Sequence, residues 1–443
     1  MGSKLLWMWV WVIFVFVSLD RRWSQGCLEQ ERLASKWNED LGEWYLNASL
    51  FSPFQELQIL SLYGNLIAGC IENESLRFMN NLEYLSLSGN TFNNSILSFL
   101  SALSPLKGLY IGDVGLKGTV DLSEISDSLS NLEELDLGYS QINKLVLTKG
   151  NNTSLRNLQV LTLSNVNIHD GSTLLQLLES LPSLKTLFLN YYNFSGIMSS
   201  DGNLLQSIAA FTSLETLNMW DCQLNGILGV KDFSNFKNLK DLFISSTDLN
   251  ISFLHRLCEL VHLQELDLSG NNLRGALPSC FANLTSLQVL DISFSPFSLE
   301  PFFNHSKLKS FACKYNNLYA ETELHSLTPK FQLNSIILSG CKGSCTFPKF
   351  LYHQHDLKVV DLSHNNFTGD HFPNWLLENN TKLQLLFLAN NSLTGPLQLP
   401  IHSYANLMTL DISMNTINGH ILAEVGGNIP SSVDDMNSLK SLI

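Results

Sequence analysis

Leu263-Gln-Glu-Leu266-Asp-Leu268-Ser-Gly-Asn271-Asn-Leu273-Arg-Gly275 is the stretch that decides the fold of this chain. Leu266 and Leu268 flank Asp267 with the period of two that a short strand needs to bury one face. Asn271 stands where the chain must leave the strand, and Gly275 allows the bend that follows. The same skeleton returns at Leu383-Leu386-Leu388-Asn391-Leu393-Gly395 and at Leu82-Leu85-Leu87-Asn90-Phe92. Starts can be placed at residues 57, 82, 106, 132, 158, 184, 214, 239, 263, 287, 308, 333, 357, 383 and 407, with a further one at Leu439. The spacing of about 25 residues is that of a solenoid repeat.

One such coil buries too little apolar surface to offset the entropy of ordering it, so the coils must stack. The expected fold class is an α/β repeat solenoid whose strands form one parallel sheet on the concave face. Asn65, Asn90, Asn271, Asn316, Asn365, Asn391 and Asn415 occupy the turn slot. A buried amide there can bond the backbone of neighbouring coils, because unpaired polar groups inside a turn are costly. Cys222 and Cys341 take the same slot, and Cys313 takes a leucine slot. The long interval from Leu184 to Leu214 predicts a protrusion at residues 199–205, and the short one from Leu287 to Leu308 a tightened convex side.

The first 26 residues differ from the array. Lys4 precedes an apolar run from Leu5 to Val17, with Ser24 and Gly26 beyond it. This reads as a secretory signal peptide and is shorter than the roughly 20 residues that span a bilayer. Asp20, Arg21 and Arg22 sit awkwardly for cleavage, so an uncleaved anchor is the other reading. Secretion is supported by Asn-x-Ser/Thr sequons at Asn47, Asn73, Asn93, Asn151, Asn152, Asn193, Asn250, Asn283, Asn304, Asn366, Asn379 and Asn390. The net charge of −14 argues against nucleic acid as a partner, since phosphate binding needs a basic stripe.

Leu273-Arg-Gly-Ala-Leu-Pro278, Phe367-Thr-Gly-Asp-His-Phe-Pro373 and Ile429-Pro430 resemble the extension that follows the strand in plant leucine-rich repeats. Gly26-Cys-Leu-Glu-Gln-Glu-Arg-Leu33 looks like the mature start of plant receptor-like proteins. Leu257-Cys258 with Leu277-Pro-Ser-Cys280-Phe-Ala-Asn-Leu-Thr285 is similar to the same group. The resemblance implies a leucine-rich-repeat horseshoe or superhelix, an ectodomain that recognises extracellular peptides or proteins, one transmembrane helix with a short tail, and signalling through partner kinases. Two departures stand out. The family's N-terminal cap has paired cysteines, whereas no cysteine lies between Cys27 and Cys70. Gly419-His-Ile-Leu and Gly427-Asn-Ile-Pro both resemble the back half of a repeat, with no strand between them.

The expected organisation is a signal peptide at 1–26 and an incomplete cap at 27–56. About fifteen repeats follow at 57–438, fused irregularly at 407–438. The start of a truncated repeat lies at 439–443. If full-length, such a protein sits at the extracellular face of the plasma membrane. If the chain is complete, it is extracellular, in the apoplast.

Cys258 and Cys280 fall at near-equivalent convex positions of adjacent repeats and are the candidate disulfide. Cys341 and Cys345 lack metal-ligand spacing with any histidine, His353 and His355 read as a solvated convex loop, and no cofactor or metal is implied. No nucleophile elbow, zinc helix or phosphate loop is present, so the chain is not read as an enzyme. Asp267, Asp361 and Asp411 recur in the strands as scaffold.

The functional signal lies where outward strand positions depart from Asp and Ser. Phe188, Asn190 and Tyr191, then Asn218, Trp220 and Asp221, then Phe243 belong to three successive repeats and form the candidate ligand-binding patch. Tyr110, Asp113 and Tyr139 make a weaker set, as do Phe294, Lys314 and Tyr315. The leading functional reading is noncatalytic recognition of a peptide or protein on the concave face, with a co-receptor kinase as partner, in defence or development. The alternative is a soluble secreted inhibitor of a microbial cell-wall-degrading enzyme.

Overall fold

The computed structural model describes residues 43–47, 51, 54, 56–71, 80–101, 103, 106–126, 130–147, 155–166, 168, 171–192, 208, 212–222, 224, 236–249, 251–271, 273, 277–294, 300–315, 328–341, 347–369, 372–395, 406–417 and 441–442. The signal-peptide region, the protrusion expected at 199–205 and Asn316 lie outside them. The chain divides into two units, residues 1–192 and 193–443.

In the first unit the ladder runs Ile59–Ser61, Tyr84–Ser86, Gly108–Tyr110, Glu134–Asp136, Val160–Thr162 and Thr186–Phe188, all parallel. Each strand pairs with the next at an unchanged repeat position, as Leu60 with Leu85 and Leu85 with Leu109. The middle leucine is buried while its flanking residues are half-exposed, as expected of a strand with one covered face. The second unit repeats this from Thr216–Asn218 through Glu265–Asp267, Val359–Asp361 and Thr409–Asp411 to Ser441–Leu442. Thr409 pairs directly with Ser441 and Leu410 with Leu442. In this sheet 441–442 is the neighbour of 409–411, and residues 418–440 lie outside the described set.

Behind the strands, several described return segments are short helices. Gly171–Glu179 buries Leu174, Leu177 and Leu178, an i, i+3, i+4 stripe that faces the core. In the second unit a row of phenylalanines replaces leucine on this side. Phe281 meets Phe302 edge-on at 6.1 Å, and Phe303, Phe331 and Phe350 contact one another at 6.1–6.3 Å. The residues beyond the turn form smaller parallel ladders, Lys117–Asp121 with Gln141–Val146, and Thr368–Gly369 with Ser392–Gly395 and Thr416–Ile417.

At the front of the first unit, Trp44–Leu46 pairs in parallel with Ile67–Cys70, and the Trp44 indole donates to Asn65 O at 2.7 Å. Leu46 and Phe51 are buried against Leu60, Leu62, Leu82 and Leu85. Part of the segment read as an incomplete cap thus covers the first coil. The sequence reading did not anticipate it because three residues are too few to show a period.

The turn asparagines lock neighbouring coils. Asn271 Nδ2 donates to Ile244 O at 2.7 Å and Leu268 O at 3.0 Å, and its Oδ1 accepts from the backbone of Thr247 at 2.8 Å and Leu249 at 3.2 Å. Asn90, Asn365, Asn391 and Asn415 repeat the pattern. Where the slot is not asparagine, other groups substitute. Cys341 Sγ lies 3.0 Å from Cys313 O, Cys222 Sγ 3.7 Å from Trp220 O, and buried Tyr192 donates its hydroxyl to Ile168 O at 2.7 Å. Cys313 is fully buried. Cys258 is bonded to Cys280, with Cα atoms 5.6 Å apart, behind the strands.

Candidate functional site

Two kinds of outward position present side chains on the strand face: those that alternate with leucine, and the residue just before the turn slot. The second kind has an unusual backbone. In the first unit Gly64, Gly89, Asp113, Tyr139, Asn165 and Tyr191 all have φ between +53° and +69°. In the second unit Asp221, Ser246, Gly270, Phe294, Tyr315, Gly340, His364, Asn390 and Met414 lie between +51° and +70°. The geometry serves the ladder. With the left-handed turn, the amide of this residue still reaches the next coil, as Phe294 N to Lys314 O and Tyr315 N to Ser339 O, each at 2.7 Å. Glycine, asparagine and aspartate tolerate this region, but it costs another residue about 1–2 kcal/mol.

Tyrosine and phenylalanine occupy that costly position four times without being buried by it. Tyr139 is 53% exposed and its ring centroid lies 6.2 Å from that of Tyr191, across the coil of Asn165. Phe294 and Tyr315 are 50% and 60% exposed and stack at 5.2 Å with planes 26° apart. A shallow depression beside this pair is lined by Ser246 and Gly270. Strain held at a solvent-facing position points to a role other than packing.

The residues of the candidate patch divide between the units. In the first, Phe188 stands beside Thr162 in register and is half-buried, as are Asn190 and Tyr191. In the second, Asn218 stands opposite Phe243, Phe243 opposite Asp267, and Trp220 is 42% exposed next to exposed Asp221. The Asn218 carboxamide oxygen accepts from the Trp220 backbone at 3.2 Å. Of the weaker sets, the Tyr110 hydroxyl donates to Glu134. Burial first, and then that bond, raises the Tyr110 pKa. Burial raises Asp113.

The aspartates of the strands brace the turn that follows them. Asp267, Asp291, Asp361 and Asp411 each accept the amide of the serine two residues on, at 2.8–3.0 Å. Burial raises Asp291 above the ordinary carboxylate value; the Ser293 bonds oppose this, and the charge of Asp267, opposite it in register, adds to the rise. Glu265 is raised by burial and by Asp241 opposite it. Among the described residues no group of three or more His, Cys, Asp or Glu could hold a metal ion, and no helix is long and apolar enough to cross a membrane. His353 and His355 are exposed behind the strands.

Of the sequons, Asn93, Asn283, Asn304, Asn366 and Asn390 are exposed, and Asn47 and Asn379 are half-exposed. Asn73, Asn151, Asn152, Asn193 and Asn250 lie outside the described residues. The sequence reading missed the pairing of aromatics at the left-handed position. Its trace was available in the residue directly before the turn slot, where Tyr139, Tyr191, Phe294 and Tyr315 replace the expected small residue.

Comparison with known proteins follows the same lines. The family described as Leucine Rich Repeat matches residues 81–103, 262–284 and 356–377. Cuscuta receptor 1 of Solanum lycopersicum is 34% identical over 85% of this chain and 43% of its own length. Receptor-like protein 1 of Arabidopsis thaliana is 31% identical over 89% of this chain and 42% of its own length. The chain therefore spans about two fifths of the length of these relatives. Among solved structures, a leucine-rich-repeat protein of Leptospira interrogans shares the fold, with a TM-score of 0.56, 22% identity, and coverage of 85% of this chain and 95% of that one. The repeat skeleton, the parallel ladder and these similarities together make the chain a leucine-rich-repeat solenoid that is similar, over most of its length, to plant receptor-like proteins.

Proposed function

We propose that this chain is a noncatalytic recognition module of a plant cell-surface receptor. An extracellular peptide or protein lies along the strand face, and the complex recruits a co-receptor kinase in defence or developmental signalling. The observation that carries this reading is the exposure of large aromatic side chains, Trp220 above all, at outward positions of a rigid parallel ladder. Rigid aromatic anchors on a pre-organised face are what interfaces use, because they bury much area at little entropic cost. The relatives named as receptors support the same reading. The exposed sequons fit passage through the secretory pathway and glycosylation there.

The test uses the full chain secreted from plant cells and immobilised. Peptides retained from apoplastic fluid are identified, resynthesised and titrated against the chain and against Phe188→Ala and Trp220→Ala, one in each unit. A loss of about tenfold or more in affinity, with unchanged secretion, is expected for at least one variant. Full affinity of both variants for every retained peptide would remove the strand face from the proposal.

A further inference from the structure

The second unit holds a stacked aromatic pair beside a run of carboxylates that have no ion-pair partner among the described residues. Asp241 faces Glu265 and Asp267 faces Asp291 in direct cross-strand register, an arrangement of like charges that disfavours the sheet. Among the described residues no lysine or arginine comes within 4.0 Å of any of the four; Lys240 is paired instead with Glu215 at 2.6 Å. Lys314 acts on Asp291 only through its longer-range charge. The coil of Asp291 and the one after it present Phe294 and Tyr315, stacked, half or more exposed, and held at the left-handed position.

We infer that this face of the second unit binds a cationic, arginine-bearing peptide segment, with a guanidinium laid on the Phe294–Tyr315 stack and against Asp291. The inference rests on the strand-face reading above and gives it a ligand class. Charge complementarity selects the occupant: an anionic or purely apolar segment would leave the paired carboxylates unrelieved, whereas arginine both neutralises them and stacks on aromatic faces. Size fits as well. Four ladder strands about 4.8 Å apart make a track on the order of 15 Å, the length of about five extended residues.

The probe is a fluorescein-labelled peptide of sequence Gly-Arg-Gly-Ser-Gly-Arg-Gly, with glutamine and glutamate versions as controls, titrated against the full secreted chain by anisotropy. The arginine peptide is expected to bind about tenfold or more tighter than the glutamine peptide, and to weaken as NaCl rises from about 0.05 to about 0.3 M. Phe294→Asn and Tyr315→Asn keep a residue that the left-handed backbone accepts, so both fold, and both are expected to lose about tenfold in affinity. Asp267→Asn and Asp291→Asn should weaken binding and flatten the salt dependence. No binding of the arginine peptide, equal binding of the three peptides, or full affinity in the Phe294 and Tyr315 variants would each overturn the inference. An apoplastic peptide without basic residues whose binding depends on Trp220 would leave the strand-face reading standing while this one falls.

Discussion

Tyr315 occupies the space that a side chain on Gly340, one coil further on, would need: a Cβ there would stand 2.5 Å from the ring's Cδ1. The two positions are equivalent in consecutive repeats, and both are left-handed, at φ +51° and +69°. An aromatic side chain in one coil is thus accommodated by the absence of one in the next. A looser contact of this kind is seen at Gly89, where an added Cβ would lie 3.3 Å from the ring of Tyr63, one position earlier in the preceding coil.

Gly340→Ala is therefore expected to destabilise the chain by about 1–3 kcal/mol, through positive φ and steric conflict together. It should also turn the Tyr315 ring away from Phe294. Thermal denaturation and arginine-peptide binding measured on the same preparation check this. A variant with unchanged melting temperature and unchanged affinity would show that the ring does not need the space.

Asn271→Ala removes an amide that bonds four backbone groups of two coils, Ile244, Leu268, Thr247 and Leu249. Each buried group left unpaired costs about 1–3 kcal/mol, so a loss of roughly 3 kcal/mol or more is expected in urea unfolding. Asn65→Ala should cost less, about 1 kcal/mol, because its Nδ2 bonds only the nearby, exposed Tyr63 carbonyl. Equal losses for the two would contradict the coil-locking role.

Cys258 and Cys280 close a loop with a separation of 22 residues. Replacing both with serine should lower stability by about 3 kcal/mol, chiefly by freeing the unfolded chain. Thiol labelling of the denatured, unreduced protein gives a direct check. Label on peptides containing these two residues would refute the bond.

His305 is fully buried, its Nδ1 has no partner, and its Nε2 lies 3.2 Å from Ala282 O against the edge of Phe302. Burial lowers its pKa below the ordinary value of about 6.5. The unfolded chain therefore takes up this proton first as pH falls. The contribution of His305 to stability is fully present above about pH 6.5 and is lost on acidification toward the lowered folded value. Urea midpoints measured between about pH 7.5 and pH 5 should fall more steeply for the native chain than for His305→Gln. Parallel profiles would show that the imidazole does not titrate in this window.

Much of this was legible in the residues. Period-two apolar residues fixed the strands, the asparagine after many of them fixed those turns, and the spacing of starts fixed the parallel order, because all are local rules repeated many times. The scaffold role of Asp267, Asp361 and Asp411 and the burial of Cys313 followed from the same register.

Three things were decided only by tertiary structure. The pairing of Trp44–Leu46 with Ile67–Cys70 joins segments whose match leaves no period to read. The left-handed backbone of Phe294 and Tyr315 arises because the ladder bonds of adjacent coils must continue through the turn, a demand set by the neighbour and not by the residue. The stacking of those two rings, the seat of Tyr315 over Gly340, and the facing of Asp267 by Asp291 depend on register between coils. Sequence determines which side chains each coil turns outward. Only the stacked solenoid decides which of them meet, since residues far apart along the chain become neighbours about 4.8 Å away across the ladder.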